Sequence, residues 1–449
     1  MMIRITDGIV LTLDDEQPVL SPGAVVVDEH AIVAVGSAET LAEQYSDCET
    51  VSVPGQIVMP GLINGHTHLY GSLARGIPLS GAAPESFVEI LEQLWWRLDR
   101  TLELEDVYIS ALVGALDAVR GGTTTVFDHH SSPNAVQGSL AEVARATMEV
   151  GLRACLCYEV SDRDGKGAAK AALEENERFM HQWRAESSPF LRGLIGLHAS
   201  FTVGNPTMER ARKLCEKYLV GFHIHVAEDS FDLQDSLLKY EKRVVQRLHD
   251  MGILGEWTLA AHGVHIDEHE MDILHNSQTF LVHNPRSNMN NAVGTADVPQ
   301  MLKRGVTVGL GTDGYGQGLL EEFAVLALAH KAAKKDPLAL RLPQAADILL
   351  KHNPVFFERT FGFPAGRLAA GQAADLITLP YNPPTPLEVD NLHAHLLFGL
   401  ASHPQVDNVM IHGRWVLRQG AFQTVDEAEI LARARSQARK LWKRFAAKP

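Results

Sequence analysis

Two histidines one residue apart, His66 and His68, end an apolar run that reads GLINGHTH. Alternation along a strand places residues two apart on one face, so both imidazoles can turn to a single centre. Further on, HVAE carries His225 and then Glu228, and GLGTDG carries Asp313, each after a short apolar segment. Imidazole nitrogens with one carboxylate are the donors that hold a zinc or ferrous ion while leaving a position open. Asp128 in TTTVFD, His198 in LIGLHA, His262 in AAHG and His283 in FLVHNP stand at equivalent places. HTH alone reads as two loop histidines. A histidine or carboxylate after nearly every apolar run argues for chemistry.

Those runs set the architecture that must position the donors. They are IVMPGLINGHTH (57–68), TTTVFD (123–128), RACLCYEV (153–160), LIGLHA (194–199), GFHIHVAE (221–228), WTLAAHGV (257–264), TFLVHNP (279–285) and TVGLGTDG (307–314). From the second run onward they recur roughly every 30 residues, with helical spacing between them, the repeat of a (β/α)8 TIM barrel. Such a barrel keeps its chemistry at the C-terminal ends of its strands. Residues 57–365 are therefore expected to form the barrel, within an α/β fold. Residues 1–56 and 366–449 carry alternating, Gly- and Pro-punctuated segments such as GAVVVDEHAIVAVG and VDNVMIHGRWVLRQG. Neither flank suffices for a core of its own, so both are expected to join in one small β-sandwich domain. The long interval from His68 to Thr123 predicts a loop and helices shaping the barrel mouth, with Trp95 on its wall. The asparagines of SNMNN, Asn288, Asn290 and Asn291, could read a polar substrate or hold a tight loop. The Arg- and Lys-rich C-terminal helix reads as a solvated face.

Bulk properties narrow the function. A chain of 449 residues with 45% hydrophobic and 21% charged residues is that of a globular protein with more than one core's worth of length. A net charge of −15 argues against nucleic-acid and anionic-membrane partners. No apolar run approaches the ~20 residues that span a bilayer, and MMIRITDGIV lacks signal-peptide features. The cytoplasm is the expected compartment. Cys48, Cys155, Cys157 and Cys215 contain no CxxC pair and read as structural thiols.

Taken in order, PGLINGHTH, HVAE, AAHG, HNPRSN and GVTVGLGTDG resemble the signature segments of the amidohydrolase superfamily. The resemblance is to its mononuclear deaminase and chlorohydrolase branch, which holds guanine deaminases, methylthioadenosine/S-adenosylhomocysteine deaminases and triazine hydrolases. FVEILEQLWWRLDR, EVSDRDG and HNPRSNMNNAVG are most similar to the SsnA-type aminohydrolases. The resemblance, which extends to GRLAAGQAADLITL, implies one divalent transition metal, Zn2+ or alternatively Fe2+, on His66, His68, His225 and Asp313. It implies Glu228 as proton shuttle, with His262 and Asp313 as its catalytic partners, and His198 and His283 as substrate contacts. No lysine ends the third or fourth run, which disfavours a lysine-bridged pair of metals.

The expected reaction is hydrolytic deamination of an aminated N-heterocycle of purine, pterin or pyrimidine type. A bound metal makes hydroxide available by lowering the pKa of water from ~15.7 toward 7. Hydrolytic loss of chloride or an alkylamine from a triazine-like ring, or opening of a cyclic amide, is the alternative. An inactive metal-containing scaffold is the third reading, and the complete donor set with Glu228 counts against it. The partners expected are a small-molecule substrate and further copies of the chain in a homo-oligomer. Guanine deaminases share HxHxxQ; Gly71 occupies the last position here, which argues against guanine and predicts room for a bulkier ring.

Overall fold

The computed structural model describes residues 2–448 apart from Asp15, Ser80 and Ser187. Its N-terminal alternating residues form β1 (Ile3–Leu11), β2 (Val19–Asp28), β3 (Ala31–Ser37), β4 (Glu49–Ser52) and β5 (Gln56–Pro60). The apolar run from Ile57 to His68 is two strands rather than one: β6 (Leu62–Thr67) starts after a break at Gly61. The break has a steric cause. A Cβ at Gly61 would lie 2.2 Å from the Thr124 side chain, so only glycine lets the chain cross there from one sheet to another.

Nine parallel segments follow the site-bearing runs. They are β6, β7 (Thr123–His130), β8 (Arg153–Tyr158), β9 (Leu191–Gly193), β10 (Ile195–Ala199), β11 (Phe222–Val226), β12 (Leu259–His262), β13 (Phe280–His283) and β14 (Val308–Leu310). The fourth expected run is β10, preceded by an additional short strand, β9, outside its bounds, and the eighth covers only the start of its run. The segments pair as two parallel sheets, β6-β7-β8-β9 and β10-β11-β12-β13-β14. Single parallel bridges link the two sheets at both ends, Val160 to Leu197 and Thr67 to Asp313. The second seam is reinforced by side-chain amides. Asn353 donates to the carbonyls of Ile63 (2.6 Å) and Leu310 (2.8 Å) and accepts from the Leu310 amide (2.9 Å). Asn64 does the same for Thr312, accepting from its N–H at 3.2 Å and donating to its hydroxyl at 2.8 Å.

Period-two alternation sorts the inner side chains by height. Ile63, Phe127, Cys155, Cys157, Leu259, Phe280 and Val282 make an apolar cluster closed by Phe356, Phe357 and Phe361. Cys155 and Cys157 are buried structural thiols there, as expected. Toward the C-terminal ends of β6, β7 and β11 the buried residues include His66, His129 and His225, with His223 two residues earlier in β11.

The C-terminal strands β15 (Leu376–Pro380), β16 (Asn408–Ile411), β17 (Arg414–Arg418) and β18 (Ala421–Phe422) return to the N-terminal ones. β15 pairs antiparallel with β5, giving one hydrogen-bonded sheet in the order β18-β17-β16-β15-β5-β1-β2-β3, with β4 on β1. The final helix, Glu427–Ala447, is less solvated than its composition suggests. Ile430, Ala434, Gln437, Leu441 and Phe445 are buried, and Arg444 and Gln437 both bond the buried Asp106 of the helix Leu104–Arg120. No described helix is long and apolar enough to cross a membrane.

Candidate metal centre and active site

Three imidazoles and a carboxylate converge where the strands end. One ligand atom from each of His66, His68, His225 and Asp313 lies within 4.8 Å of the others. Each ring is oriented through its second nitrogen. His66 Nδ1 bonds His223 Nε2 at 2.7 Å, His68 Nδ1 bonds the His129 carbonyl at 2.6 Å, and His225 Nδ1 bonds the His198 carbonyl at 3.0 Å. All three Nε2 atoms are thereby presented to one region, the arrangement that outer hydrogen bonds impose on ligating histidines. His68 Nε2 is 3.2 Å from His225 Nε2 and 3.0 Å from Asp313 Oδ1. His66 Nε2 is buried and has no hydrogen-bond partner among the described residues.

The electrostatics agree with a cation there. Burial pushes His66 down to about 3 and His225 well below the usual range, so both are neutral and able to ligate. Burial also lowers His68, but the Asp313 carboxylate outweighs it and brings His68 up to about 9. Burial would raise Asp313, yet the imidazoles of His66 and His68 that face its carboxylate hold it well below the usual carboxylate range. The cluster therefore calls for positive charge between its rings and its carboxylate, and a divalent cation supplies it. The residues fit a metal of the zinc or iron type.

Backbone strain marks the same place. His262 (φ 79°) and Asp313 (φ 54°) both hold left-handed conformations, which cost non-glycine residues of order 1–3 kcal/mol and persist where the surroundings enforce them. The amides of Thr312 and Asp313 both donate to the His66 carbonyl at 2.9 Å, which enforces the second. Asp313 Oδ2 accepts from Ser287 Oγ at 2.5 Å. His262 Nε2 faces Glu228 Oε2 at 3.5 Å and Asp313 Oδ2 at 3.8 Å. Glu228 Oε1 accepts from Asn291 Nδ2 at 3.4 Å, and burial pushes its carboxyl up to about 7 against the pull of His262.

A cavity opens over these groups. His68, His198, His225, Glu228 and Asp313 form its floor side, and Tyr70, Leu91, Trp95 and Trp96 bring aromatic and apolar wall. Trp95 and His198 thus lie where substrate contacts were expected. His198 Nδ1 is tied to Thr202 Oγ1 at 2.6 Å, and burial lowers it to about 3. His283 does not line the cavity. It is fully buried at the end of β13 beside His330, with ring centroids 5.3 Å apart. Asn288 is also fully buried and touches His262 instead, Oδ1 to Nδ1 at 2.8 Å. The described lining residues include no lysine.

Gly71 does not provide the room its sequence position promised. A Cβ there would meet the Trp95 indole at 3.2 Å, and one at Gly314 would meet the same indole at 2.8 Å. Trp95 fills the space between the two glycines. It sits at the end of a π-helical turn, Leu91–Trp95, inserted in an otherwise α-helical stretch, a device that re-aims side chains at functional sites.

Several wall residues escaped sequence reasoning. Asp99, Glu159 and Arg163 line the cavity as a linked group, Arg163 bonding both carboxylates. Ser287 was also missed and donates to the Asp313 carboxylate, while Asn291, one of the SNMNN asparagines, donates to Glu228. DRDG was the available hint for Arg163, but a charged turn carries no sign of facing inward. Asp128, placed by the sequence among the donors at the strand ends, lies two residues before the end of β7 and accepts from the Leu69 amide at 2.7 Å, fixing the turn after His68.

Residues 57–416 match the family model described as the Amidohydrolase family. The chain is 33% identical over 445 residues to a 5-methylthioadenosine/S-adenosylhomocysteine deaminase of Syntrophobacter fumaroxidans, covering 97% of this chain and 98% of that one. It is 30% identical over 443 residues to a 5'-deoxyadenosine deaminase of Methanosarcina mazei, with 98% of each covered. Among solved structures, an adenosine deaminase from Xanthomonas campestris with bound zinc superposes with a TM-score of 0.86 at 25% identity, covering 98% of both chains. With a family match over four-fifths of its length and a histidine–aspartate cluster at its strand ends, this chain belongs to the amidohydrolase family.

Proposed function

We propose that the protein is a metal-dependent aminohydrolase that deaminates an aminated N-heterocycle, with purine nucleosides first among the candidates. The observation that carries this is the placing of Glu228 and His262 beside the His66–His68–His225–Asp313 cluster, at the floor of an aromatic-walled cavity. The relatives named as nucleoside deaminases support the substrate class. The same reading takes the two parallel sheets, joined at both seams, as one closed (β/α)8 barrel over residues 57–365. Residues 1–56 and 366–449 then make the composite β-domain.

His66, His68, His225 and Asp313 would hold one divalent ion, zinc in preference to iron, as in the similar zinc-containing adenosine deaminase. Once bound, that ion supplies the Lewis acidity that makes water nucleophilic near neutral pH. The chain's own groups do the rest. Asp313 accepts the proton that the attacking water sheds as its oxygen bonds the carbon bearing the amino group. Glu228, lifted to about 7 by burial, is protonated in a large fraction of molecules at neutral pH and in that form gives its proton to the adjacent ring nitrogen. Asn291 keeps that carboxyl pointed inward. His262 lies between Glu228 and Asp313 and supports proton return to the departing amine. The carbon–nitrogen bond breaks, ammonia leaves, and the new hydroxyl gives its proton back to Glu228 as the carbonyl forms.

Asn288 is a positioning residue in this scheme rather than a substrate contact. Its Nδ2 has no partner among the described residues, whereas Oδ1 faces His262 Nδ1. Turning the amide over would let it donate to Nδ1, leaving the ring's proton on Nε2, toward the two carboxylates. The test is ammonia release from a panel of amino-heterocycles by metal-loaded protein. Release from purine nucleosides supports the reading. Chloride or alkylamine release from triazines without any ammonia would replace it, and no product from any ring would overturn it.

A further inference from the structure

The apolar wall of the cavity stands outside the parallel strands. Tyr70 comes from the turn Leu69–Ala74 that follows His68, and Leu91, Trp95 and Trp96 come from the helical stretch 87–99. On the strand side these segments are tied at the Leu69 amide, which donates to Asp128, and at Asp99, which accepts from Ser131 at 3.1 Å. On their other side lies the final helix, Glu427–Ala447, which supplies no group to the chemistry.

Three contacts tie that helix to the excursion. Trp442 Nε1 donates to the Leu73 carbonyl at 2.8 Å, and its ring lies beside Gly76, where a Cβ would come 4.0 Å from it. Three residues on, Phe445 carries the Arg97 guanidinium 4.4 Å from its ring centre. Arg97 also donates to the Lys448 carbonyl, and the Lys448 ammonium donates to the Arg100 carbonyl. Five residues before Trp442, Gln437 Nε2 donates to Asp106 Oδ1 at 2.8 Å, while Asp106 Oδ2 accepts from the Glu103 amide at 2.7 Å and so caps the next helix.

Residues three apart share one face of a helix, so Trp442 and Phe445 grip the two wall segments from the same side. The first grip has little slack. Leu69–Ala74 is a 3-10 turn, whose internal hydrogen bonds are poorly aligned. An indole N–H is a donor only, and here it is spent on that turn. Two residues before Leu73, Gly71 abuts the Trp95 indole so closely that a Cβ would lie 3.2 Å from it. A shift of the turn therefore moves the indole, and a misplacement of about 1 Å is enough to cost an enzyme dearly.

We propose that the final helix is an external clamp on the substrate wall, with Trp442 and Phe445 as positioning residues that act through Leu73 and Arg97 on Trp95 and its neighbours. The deaminase reading is needed only for what the wall binds.

Trp442→Phe tests it in the full, metal-loaded chain, because phenylalanine keeps a ring and removes the N–H. Steady-state kinetics, on the amino-heterocycle that releases ammonia fastest, is read beside hydrogen–deuterium exchange of peptides covering 69–77 and 91–100. KM should rise about five- to tenfold, the size of one lost hydrogen bond, with kcat within about twofold and metal content unchanged. Exchange should quicken in 69–77 and not in β6 or β7. Trp415→Phe in β17, whose indole N–H bonds nothing among the described residues, should leave both readouts alone. A merely structural Trp442 would lower stability and leave KM and local exchange of the folded protein as they are; that result overturns the proposal. So does a fall confined to kcat, or faster exchange with unchanged KM. Loss of metal overturns it too, since the effect would then lie at His68. If Trp442→Phe does not fold, Phe445→Leu decides: raised KM with faster exchange in 91–100 upholds the clamp, and unchanged values overturn it. If no ring releases ammonia, the deaminase reading falls and exchange alone judges the clamp, faster in 69–77 upholding it and unchanged overturning it.

Discussion

At the scale of single residues the site is a set of side chains each fixed by a second bond. Asp313 illustrates it: one oxygen faces His66 and His68, the other accepts from Ser287. Asp313→Ala should abolish turnover and weaken metal retention, because the only anionic donor is lost, while the far-UV circular dichroism stays unchanged. Elemental analysis of the purified variant checks it; full metal content with full turnover would exclude Asp313 from the centre. Glu228→Gln is the complementary change, nearly isosteric and unable to shuttle protons. Turnover should fall by about 10²–10⁴-fold, the contribution typical of a general acid–base group, with metal content near that of the unmodified protein. Loss of the metal instead would make Glu228 a ligand. The ligand types were legible in HTH, HVAE and GTDG because their spacing is set by strand alternation. The second bonds were not, since His223, Ser287 and Asn291 reach their partners only across the fold.

Elements position these residues through two local devices. One is the seam between β6 and β14, where Asn353, from the helix Asn353–Phe361, stands in for missing strand-to-strand bonds. Asn353→Ala should destabilise the protein by about 1–3 kcal/mol for each buried backbone group left unsatisfied. Urea denaturation measures it, and an unchanged midpoint would mean the seam is held elsewhere. The other device is the π turn that aims Trp95 between Gly71 and Gly314. Gly71→Gln should push the indole into the cavity and raise KM by about tenfold or more, with a smaller effect on kcat. Steady-state kinetics separates the two, and an unchanged KM would show that Trp95 does not border the substrate. Neither device announces itself in sequence. Asn353 looks like an ordinary helix-start asparagine before proline, and a π turn has no distinct apolar period.

For the whole molecule, the terminal sheet and the parallel strands are locked by a buried ion pair. Arg153, first residue of β8, is fully buried and bonds Asp375 with both terminal nitrogens, one at 3.3 Å, while Asp375 Oδ1 also accepts from the His412 amide at 2.7 Å. Asp375→Ala strands the guanidinium in the interior, and losing one partner of a buried pair typically costs about 3–5 kcal/mol. A drop in stability of that size, with metal content per folded chain unaltered, is the expected result. A variant as stable as the parent would show that water reaches Arg153.

Local physics fixed much of this in advance. Period-two alternation, helical spacing and the recurrence of short β-branched runs specified parallel strands, their spacing along the chain and the ends that carry donors, because each depends only on neighbours in the chain. Tertiary structure decided the rest. A strand broken at Gly61, an indole filling the space beside Gly71, a C-terminal helix half buried against Leu104–Arg120 and an acidic wall centred on Asp99 all depend on contacts between residues far apart in sequence. Such contacts leave no period to read, since burial of a charge or a ring is set by what the fold brings opposite it.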